Sequence, residues 1–109
     1  MVKKVLFITS NQGIEHDELT EPLNFLKSKG FEVIHAAEKN EDVATVKGDT
    51  KAATQYTPDT SFDHVDLNDY DLLVIPGGTV NADTLRINQD AQKIIQHFAD
   101  NHKPIAAIC

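Results

Sequence analysis

The chain has 109 residues, 40% hydrophobic and 25% charged, with a formal net charge of −7, which suits one small globular domain. So acidic a surface repels phosphate backbones and argues against nucleic acid as a partner. No apolar run has the length of a bilayer span, and a lone cysteine excludes an internal disulfide framework and fits a reducing, cytoplasmic setting.

The first element is the apolar run "KVLFIT" (Lys4–Thr9), of strand length and closed by the turn cluster "SNQG". The N-terminal stretch carries a basic start, but acidic residues rather than a small-residue cleavage site come after it, so it reads as a buried strand and not a secretion signal. Unbroken rather than alternating hydrophobicity predicts a strand covered on both faces, as in a parallel sheet. Leu19, Leu23 and Leu26, with Phe25, have helical spacing up to Lys29, and Gly30 sits where a C-terminal cap belongs. Pro22 leaves two starts open: as the first helical residue, or in an early turn of a helix beginning near Asp17. "FEVIHAA" (31–37) reads as a second strand.

From Glu38 to Asp69 the pattern is polar and predicts a surface excursion, with a short strand or hairpin around Val46 and Gly48. "YDLLVIPGG" (70–78) is a third buried strand ended by Pro-Gly-Gly. Helices are predicted around Ala82–Arg86 and from Asp90 to Asn101. The latter presents Ala91, Ile94, Ile95, Phe98 and Ala99 on one face. Lys103-Pro104 breaks it, and "PIAAIC" is a fourth strand. Alternating strands and helices predict an α/β fold, a three-layer sandwich around a mainly parallel sheet. Ligands in such sheets sit at the C-terminal strand ends, here "TSNQGIEHDE", "PGG" and Cys109.

Those ends hold the candidate chemistry. Free cysteine is often a small buried hydrophobe, but Cys109 ends a strand where a nucleophile elbow would place its nucleophile. A helix starting there would favour the thiolate. Gly77 and Gly78 could simply end a strand, or could present backbone N–H groups to a developing oxyanion. The acidic segment with Glu15, His16, Asp17, Glu18 and Glu21 suits a helix N-terminus. A carboxylic acid kept protonated beside a thiolate would also donate a hydrogen bond to sulfur or relay protons. None of the five histidines has zinc-site spacing, so no metal is expected. Without a Gly-x-Gly-x-x-Gly turn after a strand, or a P-loop lysine, no nucleotide cofactor is expected either.

Taken together, "KKVLFIT", "GIEHDELTEPLNFLKSKGFEV", "DYDLLVIPGG" and "DTLRINQDAQKIIQHFADNHKPIAAIC" resemble the ThiJ/PfpI superfamily, whose fold is flavodoxin-like and shared with class I glutamine amidotransferases. The second stretch resembles the family's E-D-x-E-L-x-x-P segment, and the last its D-x-L-R…KP-x-A-A-I-C-H-G segment, in the PfpI-like branch. The middle stretch "VKGDTKAATQYTPDTSFD" departs from the G-K-H-G pattern of PfpI-like proteins. The resemblance implies Cys109 as nucleophile or redox thiol and Glu18 as the protonated partner of its sulfur. It implies Gly78 as an oxyanion-hole donor, with Gly77 shaping the turn.

It further implies a cysteine-dependent enzyme acting on a small carbonyl or amide substrate, as a protease or amidase, deglycase or glyoxalase. The alternative is an oxidative-stress sensor or chaperone-like protein using Cys109 oxidation. A homodimer or higher homo-oligomer is implied, with small-molecule or peptide substrates as partners. Residues 1–109 are expected to form the N-terminal part of a single such domain, because a parallel strand ending at Cys109 would be left uncovered on one side.

Overall fold

A computed structural model of the chain describes residues 3–48 and 51–108. In chain order the elements are β1 (Lys4–Thr9), β2 (Gln12–Glu15), α1 (His16–Ser28), β3 (Glu32–Ala37), β4 (Val43–Lys47), β5 (Lys51–Tyr56) and β6 (Thr60–Ser61). Two single 3-10 turns come next, then β7 (Leu72–Ile75), α2 (Thr79–Ile87), α3 (Gln89–Asp100) and β8 (Ile105–Ala107). Among the described residues the strands form two sheets. The larger has five strands in the order β6-β3-β1-β7-β8, every pair parallel. The smaller runs β2-β4-β5, with β2 parallel and β5 antiparallel to β4.

The layering stems from β1. Successive side chains of a strand point to opposite faces. Leu6 and Ile8 join Leu73, Leu85, Ala91, Ile94 and Phe98 in a core beneath α2 and α3. Val5 and Phe7 join Ile14, Leu19, Leu23, Val33 and Val74 in a second core beneath α1. A strand covered on both faces has no polar alternation, which is why "KVLFIT" reads as a continuous apolar run. Each fully buried Leu or Phe here contributes about 1.5–3 kcal/mol relative to exposure. The α3 helix is set by the same logic. Asn88 Oδ1 accepts from Ala91 N–H at 2.8 Å and caps it, and Ala91, Ile94 and Phe98 recur along its inner face. At the far edge, β8 pairs only with β7 among the described residues, and Ile105, Ala106 and Ala107 are exposed.

One expectation needs correction and two are resolved. Of the two starts left open for the first helix, the earlier one holds: α1 begins at His16, so Pro22 lies in its second turn. Lacking an N–H, it cannot donate to the Glu18 carbonyl one turn earlier. The segment after β1 is not a plain loop, because Gln12–Glu15 form β2 and add a parallel strand beside β4. The hairpin expected around Val46 and Gly48 is present: β4 and β5 pair antiparallel and bury Val43 and Thr45. Only one face of it meets the core, so apolar residues are sparse.

One buried polar residue sits inside the main sheet. His35 on β3 is 1% exposed; its Nε2 lies 2.7 Å from Thr9 Oγ1, while its Nδ1 has no partner among the described residues. Burial holds the imidazole down at about 4, from an ordinary 6.5, although the Asp59 carboxylate pulls the other way. Folding therefore favours the neutral ring. Above about pH 6.5 this contribution is complete. As pH falls from there towards 4, the unfolded chain takes up a proton that the folded chain refuses, and stability drops. Urea unfolding at pH 7.5 and 4.5 should show the native chain losing about 2–3 kcal/mol more than a His35→Gln variant. Equal losses in both would remove His35 from the acid response.

Candidate functional site

The C-terminal ends of β1, β2 and β7 meet at one edge of the molecule. β7 delivers Pro76-Gly77-Gly78, and α2 starts at the next residue with Gly78 as its cap. The end of β2 lies against this turn: the Glu15 N–H donates to the Gly77 carbonyl at 3.1 Å. Glycine is required here by proximity. A Cβ on Gly77 would overlap Glu18 Oε1 and crowd the Ile108 carbonyl. A Cβ on Gly78 would overlap the Gly13 carbonyl, and its φ of +114° is one that side chains rarely adopt.

Glu18 enters from the first turn of α1, three residues after Glu15. Its Oε1 is buried and has no hydrogen-bond partner among the described residues. Such an atom leaves an acceptor position open beside the glycine turn. Ile108 approaches from the third side, where its N–H donates to the Ile75 carbonyl at 2.9 Å. Glu18, Gly77, Gly78 and Ile108 all line one open pocket of about 420 Å³, whose rim includes Gly48 from the β4–β5 turn and Asp83 from α2. The expected site residues Glu18, Gly77 and Gly78 are therefore brought together. Cys109 lies outside the described residues.

Two neighbours of Glu18 in the acidic segment stand apart. His16 Nδ1 pairs with Asp17 Oδ1 at 2.9 Å, and that hydrogen bond holds the Asp17 carboxyl below its usual range. Neither residue lines the pocket. Among the described residues no group of three or more His, Cys, Asp or Glu side chains could hold a metal ion. Ser61, Asp63 and His64 have the composition of a hydrolytic triad but make a local turn on β6. The Ser61 hydroxyl lies 2.6 Å from Asp63 Oδ1 and 3.1 Å from His64 Nδ1, and its one proton cannot serve both.

The sequence reading missed Asn81 and Ser10. Both are buried and stitch β1 to β7 beneath the turn. The available signal was that Asn81 and Leu85, four residues apart, share the inner face of α2. A polar residue on an apolar helix face asks for buried partners.

A three-layer α/β fold with a carboxyl group and a glycine turn at the ends of its parallel strands defines a flavodoxin-like class. Within it the chain belongs to the DJ-1/PfpI family, whose model matches residues 3–109. Over 106 residues, 97% of the chain, it is 36% identical to a deglycase of Pyrococcus horikoshii, covering 60% of that protein. Over 109 residues it is 35% identical to general stress protein 18 of Bacillus subtilis, again covering 60% of the relative. The crystal structure of Drosophila melanogaster DJ-1beta superposes with a TM-score of 0.88 at 27% identity, over the whole chain and 56% of that structure. The chain thus spans about 60% of the length of the curated relatives it matches.

The close approaches at the turn give a direct test. Gly78→Ala should destabilise the fold by about 1–3 kcal/mol through its positive φ alone, before the overlap with Gly13 is counted. Thermal unfolding of the variant measures this; an unchanged midpoint would mean the turn does not hold this conformation.

Proposed function

We propose that the protein is a cysteine-dependent deglycase, removing adducts that 2-oxoaldehydes form with amines or thiols. One observation carries the reading: Glu18, the Gly77-Gly78 turn and Ile108, the residue before Cys109, line a single pocket in a chain closely related to proteins named deglycases.

In this reading the Cys109 sulfur displaces the amine or thiol from the aldehyde carbon of the adduct. A proton then leaves that carbon and returns to the neighbouring carbonyl carbon, through an enediol, giving a thioester on sulfur. Water hydrolyses the thioester to a 2-hydroxy acid and restores the thiol. The net change is one water consumed, with free amine or thiol and 2-hydroxy acid released. Glu18 would carry the proton, a role supported by its buried Oε1 beside the turn. The Gly78 N–H would donate to the oxygen on which negative charge develops.

The likeness to general stress protein 18 favours a second reading, in which Cys109 oxidation is itself the response. The two are separated by assaying lactate released from methylglyoxal adducts of N-acetylcysteine amide, beside peroxide titration of Cys109 followed by intact mass. The enzyme reading expects Cys109→Ala to reduce lactate release to the uncatalysed rate. It expects Glu18→Gln to lower kcat by about 100-fold or more. Full activity in Cys109→Ala would end it.

A further inference from the structure

Asn81 is fully buried in the first turn of α2, and its amide spans the ends of two strands. Its Oδ1 accepts from the Ser10 N–H at 2.8 Å and faces the Ser10 hydroxyl at 2.9 Å, at the end of β1. Its Nδ2 donates to the Pro76 carbonyl at 2.9 Å, at the end of β7. An N–H opposite one end and a carbonyl opposite the other fix which way the amide lies. Asp could supply only acceptors, and Leu or Ala neither group.

The Pro76 contact bears on the glycine turn directly. In a trans peptide the C=O and N–H point in opposite directions. Holding the Pro76 carbonyl therefore fixes the plane of the Pro76–Gly77 peptide and the direction of the Gly77 N–H. The Glu15 N–H holds the Gly77 carbonyl in the same way and so directs the Gly78 N–H. Gly77 stands between the two planes with no side chain to restrict it. Two hydrogen bonds supply the restraint that a Cβ would otherwise give, and a Cβ is excluded by Glu18.

We propose that Asn81 is a positioning residue for the oxyanion-binding turn: its side-chain amide locks the Pro76–Gly77 peptide, which aims the Gly77 N–H and fixes the near side of Gly77, from which the Gly78 peptide held by Glu15 departs, before substrate arrives. This rests on the deglycase reading for its catalytic consequence, but not for the restraint itself. Preorganised donors are effective only where their direction is fixed in advance, and small misplacements are costly to rate rather than to binding.

The test uses the full chain with Asn81→Asp, which keeps the acceptor to Ser10 and loses the donor to Pro76. Asn81→Ala serves if the aspartate variant does not fold. On methylglyoxal adducts, kcat should fall by about 10- to 100-fold with KM changed less than about twofold. Alkylation of Cys109 by iodoacetamide, which needs no oxyanion donor, should keep its rate. Ser10→Ala, which leaves the Pro76 contact in place, should keep kcat. A kcat retained in the Asn81 variants, or lost equally in Ser10→Ala, would overturn the proposal. Backbone amide spectra of Gly77 and Gly78 supply a readout independent of turnover. They should shift and exchange faster in the Asn81 variants, and unchanged spectra would overturn the restraint. In the unaltered chain the Asn81 side-chain amide protons should exchange slowly; rapid exchange would overturn it without any variant. Absence of Cys109-dependent turnover in the unaltered chain would instead sink the deglycase reading while these spectra still judge Asn81.

Discussion

The Glu15 N–H to Gly77 carbonyl hydrogen bond links two sheets whose strand ladders are otherwise separate. It is a backbone contact, made possible because Gly13 and Gly78 let the chains approach to a distance that a methyl group would forbid. The helix that begins at the next residue inherits its placement. Glu15 caps α1, so the first turn of that helix is directed from the contact point, and Glu18 arrives at the turn without a long or mobile connection. Pocket geometry is thus set by main-chain groups and glycines more than by side-chain packing.

The interior divides by chemistry along the strands. The middles of β1 and β7 are apolar and hold the layers together through two cores. Towards the C-terminal ends of the sheet stand Thr9, Ser10 and His35, with Asn81 of α2 beside them, all buried and each with a hydrogen-bond partner. Burying such groups costs energy unless donors and acceptors are matched, as they are between Asn81, Ser10 and Pro76 but not at His35 Nδ1, and matched groups fix one arrangement closely. Apolar packing provides stability along the strands, while the polar ends provide register where the pocket begins.

Much of this was legible before any coordinates. The β1 and β7 runs, the strand after Gly30 and the apolar stripe of α3 are strong periodic signals, because both strand faces or one full helix face are buried. Glu18, Gly77 and Gly78 were legible because their neighbours form recognisable motifs. The features that escaped have a common cause. β2 is four residues long and contains Gly13, with only Ile14 fully buried, so its pattern is too short to read. The β4–β5 hairpin was legible only in outline, around Val46 and Gly48, because it buries one face. Asn81 looked like an ordinary polar residue near a helix start, because its role lies in partners five and seventy-one positions away. The Glu15 contribution is a backbone N–H, which no side-chain alphabet records.

Gly48 stands on the pocket rim and follows β4 of the smaller sheet, while the glycine turn on the same pocket follows β7 of the larger one. The two parts answer to different constraints. The turn is locked by glycines with no room to change. The rim includes Gly48, exposed just after β4, where a few residues can be inserted at small entropic cost. Changes at Gly48 can therefore revise what the pocket admits without disturbing the glycine turn.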